Sequence, residues 1–491
     1  MAFVAESKCE SPLEASINEA SHWAGSLSMV TLETVRRTKI VATIGPASWT
    51  EEALAALVEA GVNIFRINAA HGTPELHREL IWRVRKATKG LAVGILVDSR
   101  GPKVRVGPLP EPVAVETGEE VLLGEGGIPI THPEAVAAVS PGAHVLLSDG
   151  LLELEVVERL GRTLRCRALR PGVIQAGKGV NFPGVVLPIP VLTEQDRETL
   201  RLAKEEGVDY VALSFVQRPA DIEEAREILG PDGPAVLAKV ELAAAVAHMK
   251  ELVATADGAM VARGDLGVEI EPYRVPIVQR KLIELCNSWA KPVIVATQML
   301  QSMVASPVPT RAEVADVATA VWEGADALML SDETAIGKHP VEAVRVMAKT
   351  AEAAEGGEVP IRVPGLAPEL VGEVPAAIAQ SACAVAQEVG AQLILCATYS
   401  GWTARLVAAM RPPVPIAAVT PHAGVCRRLS LVWGVIPLLI PSAETVDALL
   451  DHAVAAAQEA GLIAPGERII FTAGLPFQKP GTTNLVRVIE L

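Results

Sequence analysis

Aromatic side chains are scarce, at 3% of 491 residues. The apolar half of the chain is instead carried by Ala, Val, Leu and Ile, which points to repeated helix–strand packing more than to an aromatic-rich binding surface. Cysteine is also sparse. Cys9, Cys166, Cys286, Cys383, Cys396 and Cys426 show no CxxC or other ligand-like spacing, which argues for a reduced, cytoplasmic protein. Long apolar runs are missing. The longest uncharged stretch, Pro292 to Thr310, holds three prolines and two glutamines, so it suits a core strand and a loop better than a membrane span. Glu6, Lys8, Glu10 and Glu14 break up any secretory apolar region. Positive charge is in the minority: 43 Lys and Arg against 58 Asp and Glu, a net charge of −15. Such a field repels phosphate backbones and anionic bilayers, so neither nucleic acid nor membrane is an expected partner. Any phosphate this chain handles must meet a local basic site.

What is present is a rhythm. The length suits about three domains. Residues 1–35 show no strong period and read as a flexible extension, or as a misplaced translation start with Met29 just ahead of the first strand. From Thr38, short apolar runs alternate with amphipathic stretches. The runs are Lys39–Ile44, Val62–Ile67, Ala92–Val97, Tyr210–Leu213, Val236–Val240, Gly258–Val261, Val293–Ala296 and Ala327–Leu330. Between them fall predicted helices such as Glu51–Ala60, Pro74–Thr88, Glu194–Glu206, Pro219–Leu229, Ala243–Thr255 and Arg274–Ala290. Unalternating apolar strands separated by helices indicate an α/β fold, a (β/α)8 TIM barrel, divided over residues 36–102 and 188–355. Between them, residues 103–187 carry short alternating segments with Gly and Pro turns, a small antiparallel β-barrel lid inserted on the active-site face. A Pro- and Gly-rich linker, 356–372, leads to an open α/β domain over 373–491.

In such a barrel the carboxyl ends of the strands carry the chemistry. Six of them end in polar clusters: Arg66-Ile-Asn68 with His71, Asp98-Ser99-Arg100 with Lys103 and Arg105, Lys239-Val-Glu241, Arg263-Gly264-Asp265, Thr297-Gln298, and Ser331-Asp332-Glu333-Thr334. Lys239 and Glu241 are two apart on a strand and share a face. Asp265 on the next strand adds a second carboxylate, the pairing with which proteins hold Mg²⁺. A lysine beside that metal is a fixed charge for a transferring phosphoryl group. Arg66 and Arg105 are bidentate donors suited to phosphate. Gly264 exposes backbone amides at a helical start, where a carboxylate or phosphate is favoured. The chemistry reads as magnesium-dependent phosphoryl transfer with a small carboxylate substrate.

The motifs TKIVATIGPAS, RINAAHG, DSRGP, KGVNFPG, AKVE, MVARGDLG, KPVIVATQML, PTRAEVADVA and SDETA, in this order, resemble the pyruvate kinase family, and the match runs from Thr38 to Leu491. The resemblance implies phosphoenolpyruvate/pyruvate and ADP/ATP as substrates, Mg²⁺ or Mn²⁺ as cofactor and a homotetramer. It implies that Arg66 contacts the transferred phosphoryl, and that Lys239 stabilises it together with the developing enolate. Glu241 and Asp265 fall on metal ligands. Gly264, Asp265 and Thr297 fall on positions that hold the substrate carboxylate, and Thr297 also lies where the enolate carbon is protonated through water. Asn68, His71, Arg105 and Lys178 fall on nucleotide-contacting positions.

The chain departs from the family pattern where that pattern holds K⁺. Ala70 replaces a serine and Lys103 a glutamate, near the monovalent-cation positions Asn68, Asp98 and Ser99. One ligand is lost and an ammonium supplied, so Lys103 is expected to substitute for K⁺. Leu242 replaces an asparagine and is expected to affect packing alone, and Asp332 is an added carboxylate. In the C-terminal domain Thr398, Ser400, Gly401 and Thr403 resemble the loop that holds an effector phosphate. Trp402 stands where arginine is frequent, so a sugar or nucleoside monophosphate suits the loop as well as fructose 1,6-bisphosphate. Of the rival readings, a dikinase lacks its swivelling histidine domain here and a simple aldolase would lack the lid. A non-catalytic sensor would be expected to lose Lys239, Glu241, Asp265 or Thr297.

Overall fold

The computed structural model describes residues 36–148, 150–476 and 481–491; the N-terminal extension expected over residues 1–35 lies outside the described residues. The chain opens with β1 (Lys39–Thr43), β2 (Ile64–Asn68) and β3 (Gly94–Asp98), then departs into an insert. The insert holds β4 (Val113–Val115), β5 (Glu120–Gly124), β6 (His144–Leu147), β7 (Leu152–Leu160), β8 (Thr163–Arg170), β9 (Gly172–Ile174) and β10 (Val180–Asn181). It returns through β11 (Tyr210–Leu213), β12 (Ala235–Val240), β13 (Gly258–Ala262), β14 (Val293–Ala296) and β15 (Ala327–Leu330). β1, β2, β3 and β11–β15 close into a barrel in the order β1-β15-β14-β13-β12-β11-β3-β2, with parallel neighbours throughout.

These strands lack alternation because both faces are buried. Outward-facing Ile40, Phe65, Ile95 and Val261 pack under the helices, while Val41, Ile64, Leu96, Leu237, Met260 and Ile294 fill the interior. Hydroxyl caps with an acidic partner three residues on set two of the helix starts, Thr193 with Asp196 and Thr310 with Glu313. One expected helix differs. The pattern over Ala243–Thr255 forms two short helices, Ala243–Ala247 and Met249–Thr255, because His248 leaves helical geometry at φ −104°, ψ 23°.

The insert packs around its own core, including Val104, Val145, Leu154, Leu164 and Phe182. It forms a five-stranded antiparallel sheet, β10-β6-β7-β8-β5, and a two-stranded ribbon, β4-β9. The C-terminal domain is an open sheet in the order β18-β17-β16-β19-β20, built from β16 (Leu393–Ala397), β17 (Ile416–Thr420), β18 (Val435–Leu439), β19 (Arg468–Gly474) and the antiparallel β20 (Thr483–Glu490). Ala376, Ala379, Ala382 and Ala386 line the buried stripe of the helix Glu373–Glu388, letting it lie close against this sheet.

The domain seats on the underside of the barrel. Leu431 enters the barrel-interior cluster, and Lys39 Nζ donates to the Val435 carbonyl at 2.9 Å. Arg411 Nη2 donates to Asn287 Oδ1 at 2.9 Å and to the Gly324 carbonyl at 2.8 Å, and lies 3.3 Å from Asp326 Oδ2. These contacts fix the end of the barrel opposite the polar strand ends.

Candidate active site

The polar strand ends converge at the barrel mouth on a buried ion network. Asp98, at the end of β3, is its hub: Oδ2 accepts from Arg66 Nε at 2.7 Å and Oδ1 lies 3.2 Å from Lys239 Nζ. Lys239 also lies 3.3 Å from Glu241 Oε2, as their shared face predicts. Burial works against the Lys239 charge, but Asp98 and Glu241 outweigh it and raise its pKa. Burial likewise opposes the Asp98 charge, and Lys239 and Arg66 together overcome it to hold its carboxyl below the ordinary range. This pocket therefore presents the Lys239 ammonium beside the Arg66 guanidinium.

Two positioning residues were missed in the sequence. Ser214, just past β11, accepts from Lys239 Nζ at 2.6 Å and donates to the Ser99 carbonyl at 2.7 Å. Thr43, the last residue of β1, accepts from Arg66 Nη1 at 3.0 Å. All eight strand ends therefore contribute, not six. The available signal was the same one used elsewhere, a polar residue where an apolar run stops.

Glu241 fits a cation site. Its Oε1 accepts from the Phe215 amide at 2.6 Å, while Oε2 is buried without a hydrogen-bond partner. Burial, reinforced by Asp265 and Asp98 and opposed by Lys239, pushes this carboxyl up to about 7. A buried oxygen with an unmade bond, near a second carboxylate, is the donor set a hard divalent ion takes with waters completing its shell. Among the described residues no group of three or more His, Cys, Asp or Glu is placed to hold a metal.

Thr297 carries an unusual backbone, with φ 69° followed by Gln298 at 55°. Arg263 anchors that turn, donating to the Thr297 carbonyl from Nε at 3.1 Å and Nη2 at 2.6 Å. The Thr297 hydroxyl accepts from the Gly264 amide at 2.8 Å and donates to the Ala296 carbonyl at 2.6 Å. Gly264 and Thr297 are thus brought together, each engaged with the other.

The remaining positions form two separate groups. Asn68 and His71 lie on the loop after β2, with Asn68 Oδ1 accepting from the Ala70 amide at 3.2 Å and His71 exposed. Arg105 and exposed Lys178 belong to the insert, where Arg105 Nη1 donates to the Gly177 carbonyl at 2.9 Å. No described hydrogen bond or ion pair joins the two groups. Lys103 requires a correction. It does not enter the Asn68, Asp98 and Ser99 set, because Arg66 and Lys239 already saturate Asp98 and Ser99 Oγ accepts from the Ser214 amide at 3.0 Å. Its Nζ instead meets Asp265 Oδ1 at 2.5 Å.

Residues 35–344 match the family model described as pyruvate kinase, barrel domain, and residues 376–489 match pyruvate kinase, alpha/beta domain. The chain belongs to the pyruvate kinase family. It is 43% identical over 469 residues to the pyruvate kinase of Agrobacterium vitis, covering 93% of this chain and 97% of that one. To pyruvate kinase 2 of Synechocystis it is 43% identical over 471 residues, 92% of this chain and 79% of the relative. To the pyruvate kinase of Staphylococcus aureus strain MRSA252 it is 42% identical over 473 residues, 92% and 80% of the two chains. It is a phosphotransferase of a family that uses a divalent metal. No helix among the described residues is long and apolar enough to cross a membrane.

Two other departures from the pyruvate kinase pattern have clear places. Leu242 is half-buried and packs on the barrel core, and Asp332 is exposed at the first turn of Asp332–Ala335. Its neighbour Glu333 is the buried one, accepting from the Leu300 and Ser331 amides at 3.1 and 2.7 Å. In the C-terminal domain, Thr398, Ser400 and Thr403 line a cavity of about 420 Å³. Thr398 Oγ1 accepts from the Gly401 amide at 2.9 Å, with Gly401 left-handed at φ 87°. The Thr403 hydroxyl is spent on Thr483 at 2.8 Å, and among the described residues Ser400 has no hydrogen-bond partner.

Proposed function

We propose that the barrel mouth carries the phosphoryl group of phosphoenolpyruvate to ADP, with Arg66 and Lys239 as the groups that bear the charge. The observation that supports this most is Lys239, a buried ammonium held by Asp98, Ser214 and Glu241. A preorganised cation in a water-poor site stabilises charge that develops in the transition state far more than it would in water.

In this reading a β-phosphate oxygen of ADP attacks phosphorus, and the bond from phosphorus to the enol oxygen breaks. Asn68, His71, Arg105 and Lys178 hold the nucleotide, the lid residues approaching from above. Arg66, oriented by Asp98 and Thr43, directs its remaining Nη2 donor at the moving phosphoryl. Lys239 then neutralises the enolate oxygen left behind. Gly264 and Thr297 receive the substrate carboxylate, exchanging part of their mutual hydrogen bond for it. Protonation at the enolate carbon reaches the Thr297 side through water, since the Thr297 proton is engaged on the Ala296 carbonyl. Glu241 and Asp265 would hold Mg²⁺ or Mn²⁺, which supplies charge neutralisation for the phosphoryl oxygens. Production of pyruvate from phosphoenolpyruvate and ADP by the purified chain tests this; absence of pyruvate at any divalent-metal concentration overturns it.

Four finer assignments belong with it. Lys103 supplies a fixed ammonium beside the metal carboxylate, so the reaction needs no K⁺. The cavity lined by Thr398, Ser400 and Thr403 takes a phosphorylated effector, a reading that its hydroxyl-bearing lining and its place at the start of the helix Trp402–Ala409 support. Resemblance to the family supports a homotetramer, and five free cysteines among the described residues suit a reducing cytoplasm.

A further inference from the structure

Between the underside of the barrel and the C-terminal domain lies a second polar cavity, of about 230 Å³, that the phosphotransfer site does not reach. Its barrel wall carries Arg226, from the helix Pro219–Leu229, and Asp257, just ahead of β13. Its other wall carries Arg405, from the helix Trp402–Ala409, and Arg428, from Ala423–Leu429. Three guanidinium groups thus face one carboxylate, inside a chain whose net charge is −15.

The single carboxylate is already taken. Arg226 Nη2 lies 2.9 Å from Asp257 Oδ2 and donates to the Thr255 carbonyl at 3.0 Å. Asp257 Oδ2 also accepts from the Val236 amide at 2.8 Å. Arg405 and Arg428 make no ion pair among the described residues. Arg405 Nε is buried without a hydrogen-bond partner, and its guanidinium lies 5.1 Å from the Trp402 ring centroid. Burial lowers the Arg405 pKa, Tyr210 and Asp257 act the other way, and Arg428 adds to the lowering. The Tyr210 hydroxyl donates to the Arg428 carbonyl at 2.7 Å and so fixes the backbone from which that arginine projects.

A guanidinium nitrogen buried with its bond unmade, as Arg405 Nε is, is costly unless an anion completes the group. Arginine forks match the planar or tetrahedral oxygens of carboxylate and phosphate. We propose that this cavity binds a small organic dianion, a phosphate monoester or a dicarboxylate, its charge on Arg405 and Arg428 and its carbon body against Pro231, Pro292 and Leu429. The site is distinct from the larger cavity at Thr398 and Thr403, but Ser400 walls both. An occupant here would tie the first turn of Trp402–Ala409 to the barrel.

The test is isothermal titration of the full chain with inorganic phosphate, glycerol 3-phosphate and succinate. The proposal expects saturable binding of at least one of them, weakened about tenfold or more by Arg428→Gln and by Arg405→Met, each removing one charged hydrogen-bonding partner. Ser442→Glu, which crowds only the larger cavity, leaves that binding unchanged. Preference for glycerol 3-phosphate or for succinate assigns the anion class. No binding of any probe overturns the proposal, as does equal affinity in Arg428→Gln. Loss of binding in Ser442→Glu with retention in Arg428→Gln also overturns it, by moving the anion to the other cavity. Should Arg405→Met fail to fold, Arg428→Gln decides, because its side chain has no described partner to lose.

Discussion

Lys103 Nζ sits 2.5 Å from Asp265 Oδ1, bridging the first residues of the lid and the helix that follows β13. One of the two carboxylates suited to a divalent ion is therefore held by an ammonium from the chain itself. Both side chains are partly exposed, at 21% and 30%, so solvent screens the pair and it contributes about 1 kcal/mol at most.

Lys103→Met should then bind Mn²⁺ more tightly in the absence of substrate, by about fivefold, the equivalent of that ~1 kcal/mol. Electron paramagnetic resonance of free Mn²⁺ measures this directly. Weaker binding in the variant would mean that the ammonium helps the metal instead of competing with it.

We propose that the same lysine, from its place beside Asp265, removes the monovalent requirement. Wild type should run at full rate in K⁺-free tetramethylammonium buffer, while Lys103→Glu should become strongly stimulated by K⁺. Strong activation of the wild type by K⁺ would remove the proposed substitution.

Ser214 accepts from Lys239 and should act through it. Ser214→Ala is expected to lower kcat by roughly tenfold, from losing one hydrogen bond to a charged group, with little change in KM for phosphoenolpyruvate. A change in KM alone would place Ser214 in ground-state binding.

Gly101 has φ 67°, and an added Cβ would fall 2.4 Å from the Phe215 ring. Gly101→Ala combines a strained backbone with a clash in the turn that leads to the lid. It should destabilise the chain by about 1–3 kcal/mol, measured by urea unfolding. Unchanged stability would show that Phe215 and the turn move aside without cost.

Lys39 is 6% exposed, and burial, with Arg36 adding to it, lowers its pKa to about 7 against an ordinary 10.5. Below pH 7 both folded and unfolded chains carry the proton, and the folded one bears the full penalty of the buried charge. Between about 7 and 10.5 the unfolded chain binds the extra proton, so this residue's contribution to stability rises with pH across that window. Lys39→Met should flatten that rise in thermal-unfolding midpoints from pH 7 to pH 9; an identical pH profile would contradict the burial effect.

Much of the fold was legible because parallel strands buried on both faces announce themselves as unbroken apolar runs. Tyr210–Leu213, Val293–Ala296 and Ala327–Leu330 have the predicted bounds. The meeting of Lys239 and Glu241 was legible for a similar reason, since strand geometry alone puts residues two apart on one face. Thr43 and Ser214 were not singled out, because a lone hydroxyl after a strand is more often a cap than a tether. The partner of Lys103 was unreadable, because it depends on how the lid approaches the barrel, a long-range relation that no local pattern encodes. The break at His248 was hidden for the opposite reason: Ala-rich helical pattern continues through it, and local propensity has no knowledge of the bend.

The central claim is that Lys239 is the fixed charge on which phosphoryl transfer depends. It is tested most directly by pyruvate formation from phosphoenolpyruvate and ADP in Lys239→Met beside the wild type, with thermal unfolding of both as a control. The account predicts a folded variant whose kcat is lower by a factor of about 10² to 10³ or more, the loss expected when one preorganised donor to developing charge is removed. A folded Lys239→Met enzyme that forms pyruvate at the wild-type rate would contradict it.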